Sequence, residues 1–359
     1  NISSFYSYLQ SGERTTNLIS KLQFAVNNKT KENLTYSYDE NGNIIEIRSN
    51  NELLARYFYD GLSRIIREDN KTLNKTNIFS YDAGGNILER IEFPFSLIEN
   101  LDALLGKVFK YSYSSCGWKD QLMEFNGSEF SYDEIGNPKI FKNFNLSWSH
   151  GRQLDNFDNI ASFKYNANGI RISKTANGLI TKYYLNKTNV ISQKDASNTF
   201  TFYYGSDGIT GFHLKNDVVD EDYFYKKNIQ NDIIGIYSTD GTQIAQYTYD
   251  ACGNQKIEYL QNMVQNSNNI AKFVELPTAF KFNDTSNINA FIAFKNPFRY
   301  RSYYYDYETN LYYLNGRYYD PEIGRFINAD DITSLETPPI SQNGINLFNY
   351  CLNNPVMKL

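Results

Sequence analysis

The stretch that decides the fold is residues 296–331, NPFRYRSYYYDYETNLYYLNGRYYDPEIGRFINADD, in which tyrosines recur in groups around polar turns. The ring-bearing residues at 303–305 read as one strand, residues 306–310 supply a turn, and residues 311–314 begin the return strand. Residues 316–321 repeat the theme, and a Gly-Arg-Phe tripeptide closes it. The stretch therefore predicts short antiparallel hairpins.

A Tyr-Asp dipeptide recurs along the rest of the chain. Three copies follow one another at steps of 21 and 22 residues, beginning at Tyr38, Tyr59 and Tyr81, and a full copy returns at Tyr249. A fixed period of this length indicates one supersecondary unit copied many times. The repeat therefore outweighs chain length as a guide to the fold.

Each repeat predicts a β-hairpin. Residues 35–38, TYSY, alternate aromatic and small polar side chains, so both rings fall on one face of a strand. Asp39 is suited to bond backbone N–H groups two residues on, Gly42 to adopt a positive φ, and Asn43 to adopt left-handed geometry. A single hairpin is marginal, and neighbouring hairpins stabilise it by extending the sheet. The fold class is therefore all-β, an antiparallel β-hairpin repeat sheet.

Residues 296–331 resemble the Rhs-associated core of bacterial Rhs/YD-repeat proteins, whose consensus reads YYDxETGLYYLxxRYYDPxxGRFxSxD. The resemblance implies that the hairpin sheet spirals into a hollow shell, or cocoon, around a toxin domain. It divides the chain into a YD-repeat shell segment at 1–255, an Asn-rich insertion or connector at 256–295, and the Rhs core at 296–359. The implied partners are the chain's own C-terminal toxin domain beyond Leu359, as enclosed cargo, and an N-terminal delivery portion or a separate shell component. The chain is expected to be a piece of a longer polypeptide.

The resemblance also implies self-cleavage, because the core of this family acts as an aspartyl autoprotease that frees the toxin. The catalytic residues carried over are Asp330 and Arg325, and Arg325 is expected to hold Asp330 ionised through a charge-assisted bond. Acid peptide hydrolysis needs two carboxyl groups that share one proton, and the second is expected just past Leu359. The chain has Asp-Asp-Ile-Thr at 330–333 where the family often has Asp-Pro-x-Gly. The alternative is that Asp330 and Arg325 are a turn acid and its structural partner.

Two stretches interrupt the repeat. Ser96 and Glu99 form a capping-box pattern, and leucine and isoleucine follow at helical spacing, which predicts a short helix over residues 97–105. The second break, residues 261–289, is rich in Asn, Ser and Thr and is interpreted as a surface insertion, with a brief helix near residues 287–294.

Composition narrows the function. A net charge of −5 and a pI near 5.3 argue against nucleic-acid binding, which needs clustered Lys and Arg. Three cysteines and two histidines give neither a disulfide framework nor a metal-ligand pattern, and no cofactor is expected. No signal peptide or apolar membrane span is visible, and the resemblance implies a secreted or cell-surface location. Two alternatives stay open: a YD-repeat cell-surface adhesion module that is not cleaved, and a glycosidase with paired carboxylates.

Overall fold

The computed structural model describes residues 2–12, 14–265, 268–277, 280, 285–331 and 346–358. The described residues form 29 strands and one α-helix. The chain divides into two compact units. The N-terminal unit comprises Ser3–Arg152, Asp250–Gly253 and Arg317–Leu359, and the middle unit comprises Asn1–Ile2, Gln153–Tyr249 and Asn254–Gly316.

The N-terminal unit is a run of antiparallel hairpins, in which each strand pairs with the next one along the chain. Two short strands near the end of the chain form a further hairpin in this unit. The strands are β1 (Ile2–Ser11, whose first residue lies in the middle unit), β2 (Arg14–Val26), β3 (Lys29–Tyr38), β4 (Ile44–Ser49), β5 (Glu52–Tyr59), β6 (Ile65–Asn70), β7 (Lys75–Tyr81), β8 (Ile87–Pro94), β9 (Lys107–Tyr113), β10 (Leu122–Phe125), β11 (Ser128–Tyr132), β12 (Pro138–Phe141) and β13 (Phe144–Ser149), with β28 (Tyr318–Asp320) and β29 (Arg325–Phe326).

The middle unit repeats the pattern and adds the helix. Its elements are β14 (Gln153–Phe157), β15 (Ala161–Tyr165), β16 (Arg171–Ala176), β17 (Leu179–Asn186), β18 (Asn189–Lys194), β19 (Thr199–Gly205), β20 (Gly208–Lys215), β21 (Asp220–Lys227), β22 (Ile233–Ser238), β23 (Gln243–Tyr249), β24 (Gln255–Gln265), β25 (Asn268–Glu275), α1 (Ile288–Lys295), β26 (Tyr304–Asp306) and β27 (Leu311–Tyr313). The predicted all-β class and antiparallel hairpin repeat are confirmed.

The tyrosine of the Tyr-Asp dipeptide links one hairpin to the one before it. The hydroxyl of Tyr59 donates to the carbonyl of Ile44 at 2.7 Å, and Tyr81 donates to Ile65 at the same distance. Burial raises the pKa of Tyr81 well above its usual value, so this phenol stays a neutral donor. The same bond recurs in both units, from Tyr38 to Ile19, Tyr113 to Ile87, Tyr165 to Leu154, Tyr204 to Val190 and Tyr249 to Ile233.

The aspartate of the dipeptide closes the hairpin turn. In the first repeat Oδ1 of Asp39 accepts the N–H groups of Asn41 and Asn43 at 3.0 and 2.7 Å, and Gly42 has φ of +80°, as predicted. The prediction for Asn43 was wrong. The φ angle of Asn43 is not positive, and its buried side chain donates to Oδ2 of Asp39 at 2.9 Å. Asn43 therefore stabilises the turn through a side-chain hydrogen bond.

The predicted helix at 97–105 was wrong, because distant side chains compete for its backbone. The guanidinium of Arg67 donates to the carbonyls of Ser96 at 3.0 Å, Ile98 at 2.8 Å and Glu99 at 3.2 Å. Thr76 donates to the Ser96 carbonyl as well and accepts the N–H of the same residue. Carbonyls held in this way are unavailable to a helix, so the segment has no regular secondary structure up to a turn closed by the bond from Leu104 to Leu101.

The predicted helix near 287–294 is confirmed as α1. It begins after Asn287, whose side chain caps the N–H groups of Asn289 and Ala290 at 3.1 and 3.2 Å. Phe291 and Ile292 are fully buried in the middle unit. No helix in the described part of the chain has the length and apolar character needed to cross a membrane.

Candidate processing site

Arg325 and Phe326 of the Gly-Arg-Phe tripeptide form the second strand of the β28–β29 hairpin in the N-terminal unit, and Gly324 ends the turn before it. The carboxylate of Asp320 closes the connecting turn by accepting the N–H groups of Glu322 and Ile323 at 2.7 and 3.4 Å. Gly324 follows with φ of +69°, a region that favours glycine, and its N–H donates to the Asp320 carbonyl at 2.9 Å. The hairpin thereby places Arg325 in the interior of the unit, where the residue is 3% exposed.

The guanidinium of Arg325 is bound to the repeat turns. It donates to Oδ1 of Asn86 at 3.1 Å and to the carbonyl of Asp120 at 2.8 Å, and it lies 4.8 Å from the centre of the Tyr113 ring. A third bond of 3.4 Å reaches Oδ1 of Asn346. The predicted bond from Arg325 to Asp330 was wrong, since these partners occupy the guanidinium. Arg325 fixes the core to the hairpins.

Asp330 pairs with a different arginine. Nη2 of Arg317 lies 3.0 Å from Oδ2 of Asp330, and the Arg317 guanidinium packs 3.6 Å from the centre of the Phe326 ring. The two side chains are 25% and 38% exposed, so the carboxylate has both a cationic partner and access to water. A charge-assisted bond of this kind stabilises and orients the ionised carboxylate.

The backbone around Asp330 is held on both sides. The N–H of Asp330 donates to the carbonyl of Leu347 at 2.9 Å, and the N–H of Ala329 donates to the carbonyl of Gly136 at 3.0 Å. The carbonyl of Ala329 accepts a bond from Arg152. Ala329 is fully buried and packs with Phe348. Asp330 is therefore a partly exposed acid whose backbone is hydrogen-bonded to Leu347 and follows a buried, hydrogen-bonded Ala329.

Residues 346–358 run beside this site, and asparagine side chains anchor them. Each anchoring asparagine donates its Nδ2 group to a Tyr-Asp repeat turn. Asn346 donates to Oδ1 of Asn86 at 2.8 Å, Asn353 to the carbonyl of Gly85 at 2.8 Å, and Asn354 to Oδ1 of Asn43 at 2.9 Å. The turns of the first and third repeats are thus docking points for the core.

Sequence reasoning missed these docking residues, although a signal exists. Asparagine stands four residues after the repeat aspartate at Asn43, Asn86 and Asn137. Each donates to its aspartate and is at most 5% exposed. A polar residue buried at a repeated position indicates a partner inside the fold. That partner is the core for Asn43 and Asn86, and the carbonyl of Gly151 for Asn137.

The second carboxylate was predicted beyond Leu359, and so falls outside the chain. The neighbouring acid, Asp331, is exposed, and its N–H donates to Oδ1 of Asp330 at 2.8 Å. The remaining acid after Arg325 in the sequence, Glu336, lies outside the described residues. Within the described ranges no group of three or more His, Cys, Asp or Glu side chains is placed to hold a metal ion.

Similarity to solved structures extends over the whole chain. No family model matches the sequence. The chain is similar to part of the complex titled TcdB2-TccC3-Cdc42, with a TM-score of 0.65 and 18% identity, covering 100% of this chain and 18% of the other. At that identity the likeness shows the fold. The antiparallel hairpin-repeat sheet agrees with it.

Sequence similarity to curated proteins points the same way. The tRNA nuclease WapA of Bacillus subtilis is 32% identical over 248 residues, which are 67% of this chain and 9% of that protein. The chain belongs to the Rhs/YD-repeat proteins. Another relative, the double-stranded DNA deaminase toxin A of Burkholderia cenocepacia, is 21% identical over 344 residues, 89% of this chain and 21% of that protein. The chain therefore spans a small part of the Rhs/YD-repeat relatives it matches.

Proposed function

We propose that this chain is the shell and core portion of an Rhs-type toxin, which encloses a C-terminal toxin domain and releases it by cutting itself. The support is the likeness to proteins named as a nuclease and a deaminase toxin, together with the fold shared with TcdB2-TccC3. Residues 1–255 would form the wall, 256–295 a connector and 296–359 the core. The protein would act outside its producer, secreted or at the cell surface.

The observation that carries the proposal is the placement of Asp330. It combines partial exposure, an arginine partner at 3.0 Å and a backbone fixed by Leu347, on a core held by buried asparagines. A general base needs access to a water molecule and a fixed orientation, and this carboxylate has both.

The proposed mechanism is aspartyl hydrolysis of one peptide bond in cis. Asp330, as the ionised carboxylate, takes a proton from the attacking water, while a protonated second carboxyl group donates one to the leaving nitrogen. Arg317 keeps Asp330 oriented toward the water. Arg325 is a positioning residue, because its guanidinium contacts Asn86 and Asn346 and supports the segments on either side of Asp330. No cofactor takes part in this scheme.

The test uses the full-length polypeptide and measures its fragments by mass spectrometry. We expect spontaneous cleavage a few residues beyond Pro355, and its loss in Asp330→Asn. Asp331→Asn is the matched control, since Asp331 is the exposed neighbour, and it should leave cleavage unchanged. An intact wild-type product, or equal cleavage in Asp330→Asn, would overturn the proposal. The first result would favour the uncleaved adhesion module.

A further inference from the structure

A buried lysine and a buried aspartate face each other in the middle unit, away from the processing site. Lys295 is the last residue of α1, and Asp195 lies in the turn that joins β18 to β19. Nζ of Lys295 is 3.8 Å from Oδ2 of Asp195, and the two side chains are 5% and 12% exposed. The pair therefore joins two elements that are 100 residues apart in sequence.

The two carboxylate oxygens of Asp195 have different surroundings. Oδ1 accepts the N–H groups of Ser197 and Asn198 at 2.9 and 2.7 Å, and Nδ2 of Asn198 at 3.1 Å. These donors close the turn as they do at Asp39, and they also stabilise negative charge on Oδ1 when the carbon becomes tetrahedral. Oδ2 is the oxygen nearer Lys295, and Asn198 also donates to it at 3.2 Å.

The cavity contains a second lysine, Lys174, whose charge environment differs from that of Lys295. Nζ of Lys174 lies 2.9 Å from Asp306 and 2.7 Å from Glu308, two close carboxylates that keep Lys174 a cation. For Lys295, burial lowers the pKa to about 8, although Asp195 opposes this shift. A neutral amine is a nucleophile, whereas an ammonium ion is not.

The cavity also provides a proton carrier. Aromatic side chains of Phe200, Phe294 and Tyr307 form part of its lining, beside the polar side chains of Gln193 and Arg299. Glu308 lines the same cavity and is 3% exposed. Glu308 is bonded to Lys174, and its negative charge also acts on Lys295. A buried carboxyl group that shares a cavity with an amine and a second carboxyl group can relay a proton between them.

We propose that Nζ of Lys295 and the side-chain carboxyl group of Asp195 condense into an intramolecular amide, an isopeptide crosslink between α1 and the β18–β19 turn. The Lys295 ammonium gives one proton through Glu308 to Oδ2 of Asp195, and the neutral amine so formed attacks Cγ. The nitrogen then loses a second proton, the Cγ–Oδ2 bond breaks, and Oδ2 leaves as water with both protons. The sum is one ammonium and one carboxylate converted to one amide and one water, with no oxidant, reductant or co-reactant. The crosslink ties the connector region to the hairpin sheet of the middle unit.

The test is the intact mass of the purified chain, followed by peptide mapping. The wild type should be lighter than its sequence mass by one water, and digestion should yield one branched peptide that joins Lys295 to Asp195. Asp195→Asn should lose one ammonia instead, because an asparagine side chain releases its amide nitrogen in the same attack. Glu308→Gln should slow the mass loss.

Two lysine variants separate the crosslink from other dehydrations. Lys295→Arg keeps the charge and lacks the nucleophile, so it should have its full sequence mass, whereas a cyclic imide at Asp195 would still show the loss. Lys182→Arg, an exposed lysine on β17, should keep the loss. A wild type at full mass after incubation in alkaline buffer overturns the proposal, as does a water loss that persists in Lys295→Arg. The wild type and Asp195→Asn remain informative should Lys295→Arg fail to fold.

Discussion

Nδ2 of Asn354 donates a hydrogen bond to Oδ1 of Asn43, and both side chains are buried in the N-terminal unit. Asn43 donates in turn to Asp39 at 2.9 Å, so the bond connects the end of the core to the first Tyr-Asp turn. Because the polar groups on both sides are buried, each would be left unsatisfied without the other. The core and the repeat turns are therefore mutually dependent.

Asn354→Ala should lower the free energy of unfolding by about 1–3 kcal/mol, the cost of leaving the buried Asn43 oxygen without a donor. Urea denaturation measures it. Asn41→Ala, at an exposed position of the same turn, is the control and should change the stability by less than about 0.5 kcal/mol. In a double-mutant cycle with Asn43→Ala the losses should be less than additive, and strict additivity would contradict the contact.

The stability of the N-terminal unit should fall as pH rises between about 5 and about 8, because of Glu68. Its carboxyl group is fully buried, and burial raises its pKa to about 8, with the negative charge of Asp250 adding to the shift. Above its unfolded pKa of about 4.5 the unfolded chain releases a proton that the folded chain retains, so stability declines with pH and levels off above about 8.

Glu68→Gln tests this directly, since glutamine has no proton to release. Urea denaturation at several pH values should give a wild-type slope of at most about 1.4 kcal/mol per pH unit from this group, and that contribution should vanish in the variant. The amide oxygen of the substituted side chain would still accept the N–H of Ala251, which Glu68 accepts at 2.9 Å. The same slope in both proteins would show that Glu68 does not titrate in this window.

Arg67→Met should destabilise the N-terminal unit by about 3 kcal/mol and loosen residues 95–106. Arg67 is bonded to the buried Asp69 at 2.8 Å and holds three carbonyls of that segment. Asp69 keeps Arg56 as a second partner, which limits the loss. Urea denaturation and limited proteolysis within residues 95–106 are the measurements. Lys71→Met, which removes an exposed pair with Glu52, should cost less than about 1 kcal/mol and leave the proteolysis pattern unchanged.

The contrast between the hairpins and residues 97–105 shows which features are readable from sequence. The Tyr-Asp turn is local, because Asp39 satisfies N–H groups two and four residues away, and repetition makes that signal strong. The helix prediction failed because Arg67, about 30 residues earlier, competes for the backbone. A capping pattern contains no information about such a distant competitor.

The candidate site, like the fold, could be predicted from the sequence only in part. The motif resemblance singled out Asp330 and Arg325 and predicted an ion pair between them. In the structure Asp330 pairs with Arg317 instead. Arg317 and Arg325 stand at the two ends of the β28–β29 hairpin, so the choice between them depends on the three-dimensional path of that hairpin and on Asn86. Long-range partners of this kind, including the docking asparagines, are set by tertiary packing rather than by local sequence.

Gly136→Ala should destabilise the protein more than the same change at Gly127, although both glycines are in hairpin turns with φ near +80°. The strain of placing a Cβ at positive φ is common to both, about 1 kcal/mol. A Cβ at Gly127 meets open space, whereas one at Gly136 would lie 2.7 Å from Cβ of Ala329 and 3.1 Å from the Trp118 ring. This overpacking adds about 1–3 kcal/mol, which the difference between the two urea denaturation midpoints measures.

The same pair of variants probes the support of Asp330. Ala329 precedes Asp330 and donates its N–H to the Gly136 carbonyl at 3.0 Å, so a displaced Ala329 moves the proposed catalytic carboxylate. In the full-length polypeptide Gly136→Ala should slow the proposed cleavage, while Gly127→Ala should leave its rate unchanged, because a shift of about 1 Å at a catalytic group costs about a hundredfold in rate. Equal cleavage rates in the two variants would show that the Gly136 turn does not position Asp330.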